Sequence, residues 1–109
     1  MIVRIWRGWT ARDNADVFET RVRTHAPTLA RSRGFRGMRL LRTDGDAETE
    51  FVTLTSFDTL DDVKAFAGED YAKAVIPEAL RALIARVEPA VGHYTVRVDQ
   101  PDGGTQAGT

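Results

Sequence analysis

The stretch Gly34-Phe-Arg-Gly-Met-Arg-Leu-Leu-Arg-Thr-Asp-Gly-Asp-Ala-Glu-Thr-Glu-Phe-Val-Thr-Leu-Thr-Ser-Phe57 decides the fold of this chain. Phe35 to Arg42 reads as a strand, Thr43 to Ala47 as a turn rich in Asp and Gly, and Glu50 to Phe57 as a second strand. Two strand patterns joined by such a turn form a hairpin. A helical pattern lies on each side of the hairpin, and each helix has a further strand beyond it. The order β-α-β-β-α-β predicts an α+β, ferredoxin-like domain with an antiparallel four-stranded sheet. Such a fold hosts many activities, so the order alone names none.

Working outward, Ile2 to Trp9 is the first strand, with Val3 and Ile5 on one face and Ile2, Arg4 and Trp6 on the other. Thr10 with Asp13 has the spacing of a capping box and predicts a helix start there. Ala15, Phe18, Val22, Ala26 and Leu29 recur at helical spacing. Pro27 lacks an amide N–H, which predicts a helix end near His25 and a short restart. Gly34 suits the left-handed stop that follows. Beyond the hairpin, Thr59 with Asp62 predicts a capped second helix whose apolar stripe includes Leu60, Val63 and Phe66. Pro77 is expected to open a further helical stretch with Leu80, Leu83, Ile84 and Val87 as its buried face, ended by Pro89. Val91 to Val98 is the expected last strand. From Asp99 the composition of Gly, Gln, Thr and Asp has no periodicity, which predicts a domain over 1–98 and a disordered tail over 99–109.

Composition removes several classes of function. Fifteen basic side chains against sixteen acidic ones give a formal net charge of -1, so a general affinity for nucleic acid or an anionic membrane is not expected. The chain has no cysteine, which removes disulfides, thiolate chemistry and thiolate metal sites. No apolar run approaches the roughly 18 residues of a membrane span. The charges in Met1-Ile-Val-Arg-Ile-Trp6 break any signal-peptide pattern, and a cytoplasmic location is the expectation. Arg33-Gly-Phe-Arg-Gly-Met38 echoes the core of an RNA-recognition motif, but it leads into the second strand, where that motif belongs on the third, and the spaced stacking aromatics are absent.

The two hairpin strands carry apolar residues on both faces. Phe51 and Phe57 point one way, Val52 and Leu54 the other. Two helices on one face leave the other bare, so a second copy is expected to cover it in a homodimer. At this point the residues resemble a known family. Met1-Ile-Val-Arg-Ile-Trp-Arg-Gly-Trp-Thr10, Gly34-Phe-Arg-Gly-Met38, Phe66-Ala-Gly-Glu-Asp70, Pro77-Glu78 and Val87-Glu-Pro-Ala-Val-Gly-His-Tyr94 are similar to antibiotic-biosynthesis-monooxygenase domains. The resemblance implies a dimeric α/β barrel with a pocket in each subunit between sheet and helices. It implies oxygenation of a small aromatic or quinol substrate without metal or flavin, or, in another branch, binding and degradation of haem. The haem branch places a ligating histidine where this chain has Ile76. It places a tryptophan at Phe57 and an asparagine at about Arg7, so none of the three is matched.

Oxygenation of an electron-rich phenol needs a dry, aromatic-lined pocket, a group that favours the phenolate, and room for O2. The expected lining is Trp6, Phe57, Phe66 and Tyr71, with Thr53 and Thr55 on the Phe57 face; each also suits an ordinary core or strand position. His93 is the expected general base, because imidazole titrates near neutrality; a structural histidine at the dimer interface is the alternative. Arg7 would stabilise the anion if it points inward, and is a surface residue if it does not. His25 suits the end of the first helix, or a place beside the pocket mouth. Two histidines far apart, with no acid at ligand spacing, predict no metal site; the family resemblance implies no bound cofactor, with haem held through another ligand as the alternative. The pairs Asp61-Asp62 and Glu69-Asp70 read as helix-start residues, since neighbouring helical side chains diverge.

Overall fold

The computed structural model describes residues 1–101. Five strands form one antiparallel sheet: β1 (Ile2–Ala11), β2 (Phe35–Asp44), β3 (Glu48–Phe57), β4 (Ile84–Val87) and β5 (Gly92–Thr95). Three helices complete the fold: α1 (Ala15–Leu29), α2 (Leu60–Ala67) and the short α3 (Glu78–Arg81). The order across the sheet is β2-β3-β1-β4, and β5 also pairs with β1. This is the expected α+β, ferredoxin-like arrangement, with the last strand in two pieces. β4 pairs with Gly8 to Thr10 and β5 with Ile2 to Ile5, so both lie along one edge of β1.

The hairpin forms as expected, with Gly45 N donating to the Glu48 carbonyl across a shorter turn. The register places Thr49, Phe51, Thr53, Thr55 and Phe57 opposite Thr10, Gly8, Trp6, Arg4 and Ile2. All of these side chains therefore share the helix-covered face. Ala15, Phe18 and Val22 of α1 pack there on Phe51 and Leu80 to form the core. Thr59 and Asp62 cap α2 reciprocally, and Gly34 takes the left-handed conformation at φ 71°.

Three local expectations are corrected. Thr10 does not cap α1: β1 continues to Ala11, Thr10 is buried between Thr49 and Ile84, and a single 3-10 turn over Arg12–Asn14 precedes the helix. Strand pairing on both sides of β1 outweighs one cap bond. Helix α1 runs through Pro27 without a break. Proline there lies in the last turn, so the helix forfeits one backbone bond close to an end that frays anyway. The helix expected from Pro77 to Val87 stops at Arg81, and Ile84 to Val87 is strand β4. A bulge explains the misreading. Arg86 pairs with Trp9 and Ile84 with Thr10, leaving Ala85 as the extra residue. The bulge returns Ile84 and Val87 to one face at a spacing of three, which imitates the helical period. The last strand is correspondingly shorter than Val91 to Val98. Asp99 to Pro101 have no regular structure, and the rest of the tail expected to be disordered lies outside the described residues.

Among the described residues no helix is long and apolar enough to cross a membrane.

Candidate functional site

A cleft of about 260 Å³ opens between the covered face of the sheet and the second half of α1. Its floor is Arg4 and Trp6 of β1 with Thr55 and Thr53 of β3, the directly paired residues of the two strands. Phe18 and Val22 of α1 and Phe66 of α2 form the walls. Ile76 and Leu80, from the irregular strap after α2 and from α3, close the side. The Trp6 indole stacks on Phe18 at 6.2 Å and 14° between planes. It also lies across Gly8, where a Cβ would stand 2.5 Å from the indole ring, so glycine there lets the ring lie flat on its own strand.

The decisive polar group is Arg4, 4% exposed and bearing a charge that no carboxylate among the described residues meets. Its Nη1 donates to the Tyr71 carbonyl at 2.6 Å and to His93 Nε2 at 2.8 Å; its Nη2 donates to the Lys73 carbonyl at 2.9 Å. The guanidinium carbon lies 5.7 Å from the centre of the Phe66 ring. Burial pushes the Arg4 pKa below its ordinary value, but a guanidinium titrates so high that it stays charged. A guanidinium has five N–H donors. Three are taken, which leaves Nε–H and one Nη2–H without a partner among the described residues. Trp6 Nε1 and Thr10 Oγ1 are buried side-chain polar atoms with no partner among the described residues.

His93 stands behind Arg4, outside the cleft lining. Burial first, and the Arg4 charge second, lower its pKa, so the neutral ring is favoured. Accepting from a guanidinium at Nε2 places the ring proton on Nδ1. The Tyr71 ring meets the imidazole edge-on at 5.2 Å.

Of the residues expected at the site, Trp6, Thr53, Thr55 and Phe66 line the cleft. Phe57 is fully buried beneath it, packed on Phe66 at 5.5 Å and edge-on to Phe35, and so supports the wall without reaching the ligand space. Tyr71 contributes its carbonyl to Arg4 and its ring to His93, and does not line the cleft. Arg7 lies on the opposite face of the sheet, where it pairs with Glu50 and its guanidinium sits 5.2 Å from the centre of the Trp9 ring. Alternation along β1 alone dictates this, because Arg4 and Trp6 face the cleft. Tyr94 is 60% exposed on that same open face, opposite Val3, and builds no wall of the cleft. His25 does line the cleft, from the last turns of α1. Arg4 is the candidate site residue that sequence reasoning passed over. Its signal was an arginine at mid-strand on the face of Trp6, where a core residue belongs.

Haem fits these residues poorly. His25 is the one imidazole in the lining, Ile76 offers no ligating atom, and the cleft is below the roughly 300–1,000 Å³ usual for drug-sized ligands.

A ferredoxin-like α+β domain with an apolar cleft between its sheet and helices defines the class of protein. The chain belongs to the antibiotic biosynthesis monooxygenase family, whose family model matches residues 1–78. Among solved structures it is similar to SnoaB of Streptomyces nogalater, a cofactor-independent oxygenase, at 26% identity and a TM-score of 0.63, covering 93% of this chain and 98% of that one. It also shares its fold with MhuD, a heme-degrader of Mycobacterium tuberculosis, at 20% identity and a TM-score of 0.65, covering 93% and 100%. No curated protein sequence matches it.

Proposed function

We propose that this protein oxygenates a small phenolic or quinol substrate with O2, using no bound cofactor. One observation carries the reading: the cleft is apolar and aromatic, no carboxylate among the described residues lines it, and its floor holds the buried cation Arg4 and the Trp6 indole, whose buried Nε1 has no partner among the described residues. Such a site lowers the energy of an ionised ring oxygen, and a phenolate gives up electrons to O2 far more readily than a phenol does. The similarity to SnoaB supports the same reading. The reaction balances without another reductant. A ring C–H para to the hydroxyl and the phenolic O–H break, and a C=O forms from one oxygen atom. The other oxygen leaves as water with both hydrogens. The substrate supplies all four electrons.

Within this scheme Trp6 Nε1 donates to the ionised oxygen, and Arg4 favours it by charge. His25 takes over the part of base that the sequence suggested for His93, because it is the imidazole on the cleft wall. His93 holds the Arg4 guanidinium in place and is a positioning residue. The protein acts as a homodimer whose copies meet through the open sheet face, where Val3, Ile5, Val52, Leu54 and the exposed Leu41 form an apolar field.

An oxygen electrode tests the activity. Chelator-treated protein should consume one O2 per quinone formed from a 1-naphthol-type substrate. Trp6→Phe, which keeps the ring and loses the donor, should lower kcat about 10²–10³-fold. No oxygen uptake with any one- or two-ring phenol or quinol would overturn the proposal. In that event the binding of a hydrophobic ligand becomes the better reading, with haemin titration and His25→Ala as its check, since His25 is the residue in its favour.

A further inference from the structure

Arg4 is held in an unusual way for a buried cation. Its three protein partners are two backbone carbonyls and one neutral imidazole, so they fix its position and leave its charge intact. Buried cations are ordinarily paired with an acid, because an unpaired charge is costly to desolvate. Among the described residues no Asp or Glu lines the cleft, and each salt bridge belongs to another arginine or lysine. Among the described residues no counter-ion is supplied to Arg4.

The geometry of the free donors narrows what supplies it. Nε–H and one Nη2–H remain; with the Lys73 carbonyl on the Nη1 side of Nη2, these two form the Nε edge of the guanidinium plane, parallel and about one carboxylate width apart. A single phenolate oxygen uses one of them well. A carboxylate uses both, and it is ionised across the whole neutral range. The remaining floor groups, Trp6 Nε1 and the Thr53 and Thr55 hydroxyls, can serve a ring hydroxyl next to that carboxylate. The volume of about 260 Å³ suits one or two rings.

We infer that Arg4 is the specificity-determining residue of a carboxylate subsite, and that the natural ligand is a small hydroxyaromatic acid of one or two rings. The inference rests on the cleft being the aromatic-ligand site described above, and it adds the acid group to that ligand. Arg4 engages the carboxylate through its free edge, while Tyr71, Lys73 and His93 keep the guanidinium in plane from the other side.

Calorimetric titration of the wild-type protein with three two-ring probes is the test: 1-hydroxy-2-naphthoic acid, its neutral amide and 1-naphthol. The acid should bind about tenfold to hundredfold more tightly than the amide, the range expected of a charge-assisted, two-bond contact. That preference should be unchanged from pH 6 to 8. Arg4→Lys, which keeps the charge but loses the fork, should remove most of the preference of acid over amide. If Arg4→Lys does not fold, the wild-type comparison still decides, with Ile76→Trp as a variant that fills the cleft and should abolish binding of all three probes. Equal affinity for acid and amide, with naphthol bound, would overturn the carboxylate subsite and leave the aromatic site standing. Failure of all three probes to bind would overturn both.

Discussion

Replacing Gly34 with alanine tests how the end of α1 is locked to the start of α2. Gly34 sits at φ 71°, a conformation that costs an ordinary L-residue roughly 1–2 kcal/mol. The new methyl would also overlap the Asp62 carboxylate, which accepts from Thr59 N at 3.2 Å and Thr59 Oγ1 at 3.0 Å to complete the cap of α2. Asp62 is 5% exposed, so its carboxylate has little space to retreat into. Loss of the cap is worth about 1 kcal/mol. The Arg33–Asp62 ion pair adds little, since the Arg33 side chain is 75% exposed. Gly34→Ala is therefore expected to cost about 2–3 kcal/mol, or a drop of about 10–20 °C in Tm for a domain of this size. Urea unfolding of Gly34→Ala, Asp62→Ala and the double variant makes the argument quantitative. With Asp62→Ala in place the carboxylate is gone, and only the Asp62 Cβ position, 2.8 Å from the new methyl, has to yield. Gly34→Ala should then cost about 1 kcal/mol less than it does alone. An identical cost in both backgrounds would refute the overlap, and a cost under about 1 kcal/mol in the wild type would refute the backbone argument too.

Two further outcomes follow from the same contacts. The folded protein disfavours protonated His93, so between its lowered pKa and about 6.5 the unfolded chain binds more protons and stability rises with pH. That stability is present in full above about pH 6.5 and is lost as pH falls through the window; His93→Gln should flatten this part of the urea-midpoint profile against pH, and an unchanged acid loss would place its cause elsewhere. Leu54→Glu puts a charge on the open sheet face opposite Ile5, and light scattering should report the 12.1 kDa monomer where the wild type gives twice that mass; a variant that remains dimeric would rule out that face as the interface.

The fold was legible because its main signals are periodic and local. The Asp-Gly turn between alternating strands set the hairpin, and the Thr59–Asp62 spacing set the start of α2. The parts that were misread are those in which tertiary pairing overrides a local signal. Thr10 has the chemistry of a cap, yet β1 has a partner on each side and extends past it. Ile84 and Val87 have helical spacing, yet a bulge at Ala85 produces the same spacing in a strand. In the cleft, the apolar lining followed from strand alternation, and Trp6, Thr53, Thr55 and Phe66 were legible for that reason. Arg4 and His93 were not legible as a pair, because 89 positions separate them and only the docking of β5 on β1 brings them together. Arg7 was the expected anion-stabilising cation, and the two-residue period sends it to the opposite face.

The divided edge strand and the buried arginine are parts of one device. A continuous strand from Ile84 to Thr95 would use its amides along the edge of β1. The interruption between β4 and β5 instead frees Val91 N to donate to the Ala72 carbonyl at 2.7 Å. Arg4 takes the flanking carbonyls of Tyr71 and Lys73. Three successive residues of the strap, 71–73, are thus tied to the sheet by their carbonyl oxygens, and the strap that follows delivers Ile76 to the cleft wall. An aspartate in the strap would hold Arg4 more strongly, but it would also cancel the charge and leave a bound anion little to gain. Carbonyl dipoles anchor the guanidinium, keep it ionised and fix its free edge in advance, so little of the ligand's binding energy is spent on orienting it. The same economy makes the site sensitive to the strap: any change that withdraws the Tyr71 or Lys73 carbonyl leaves a buried cation underpartnered, and cleft closure and anion binding should weaken together.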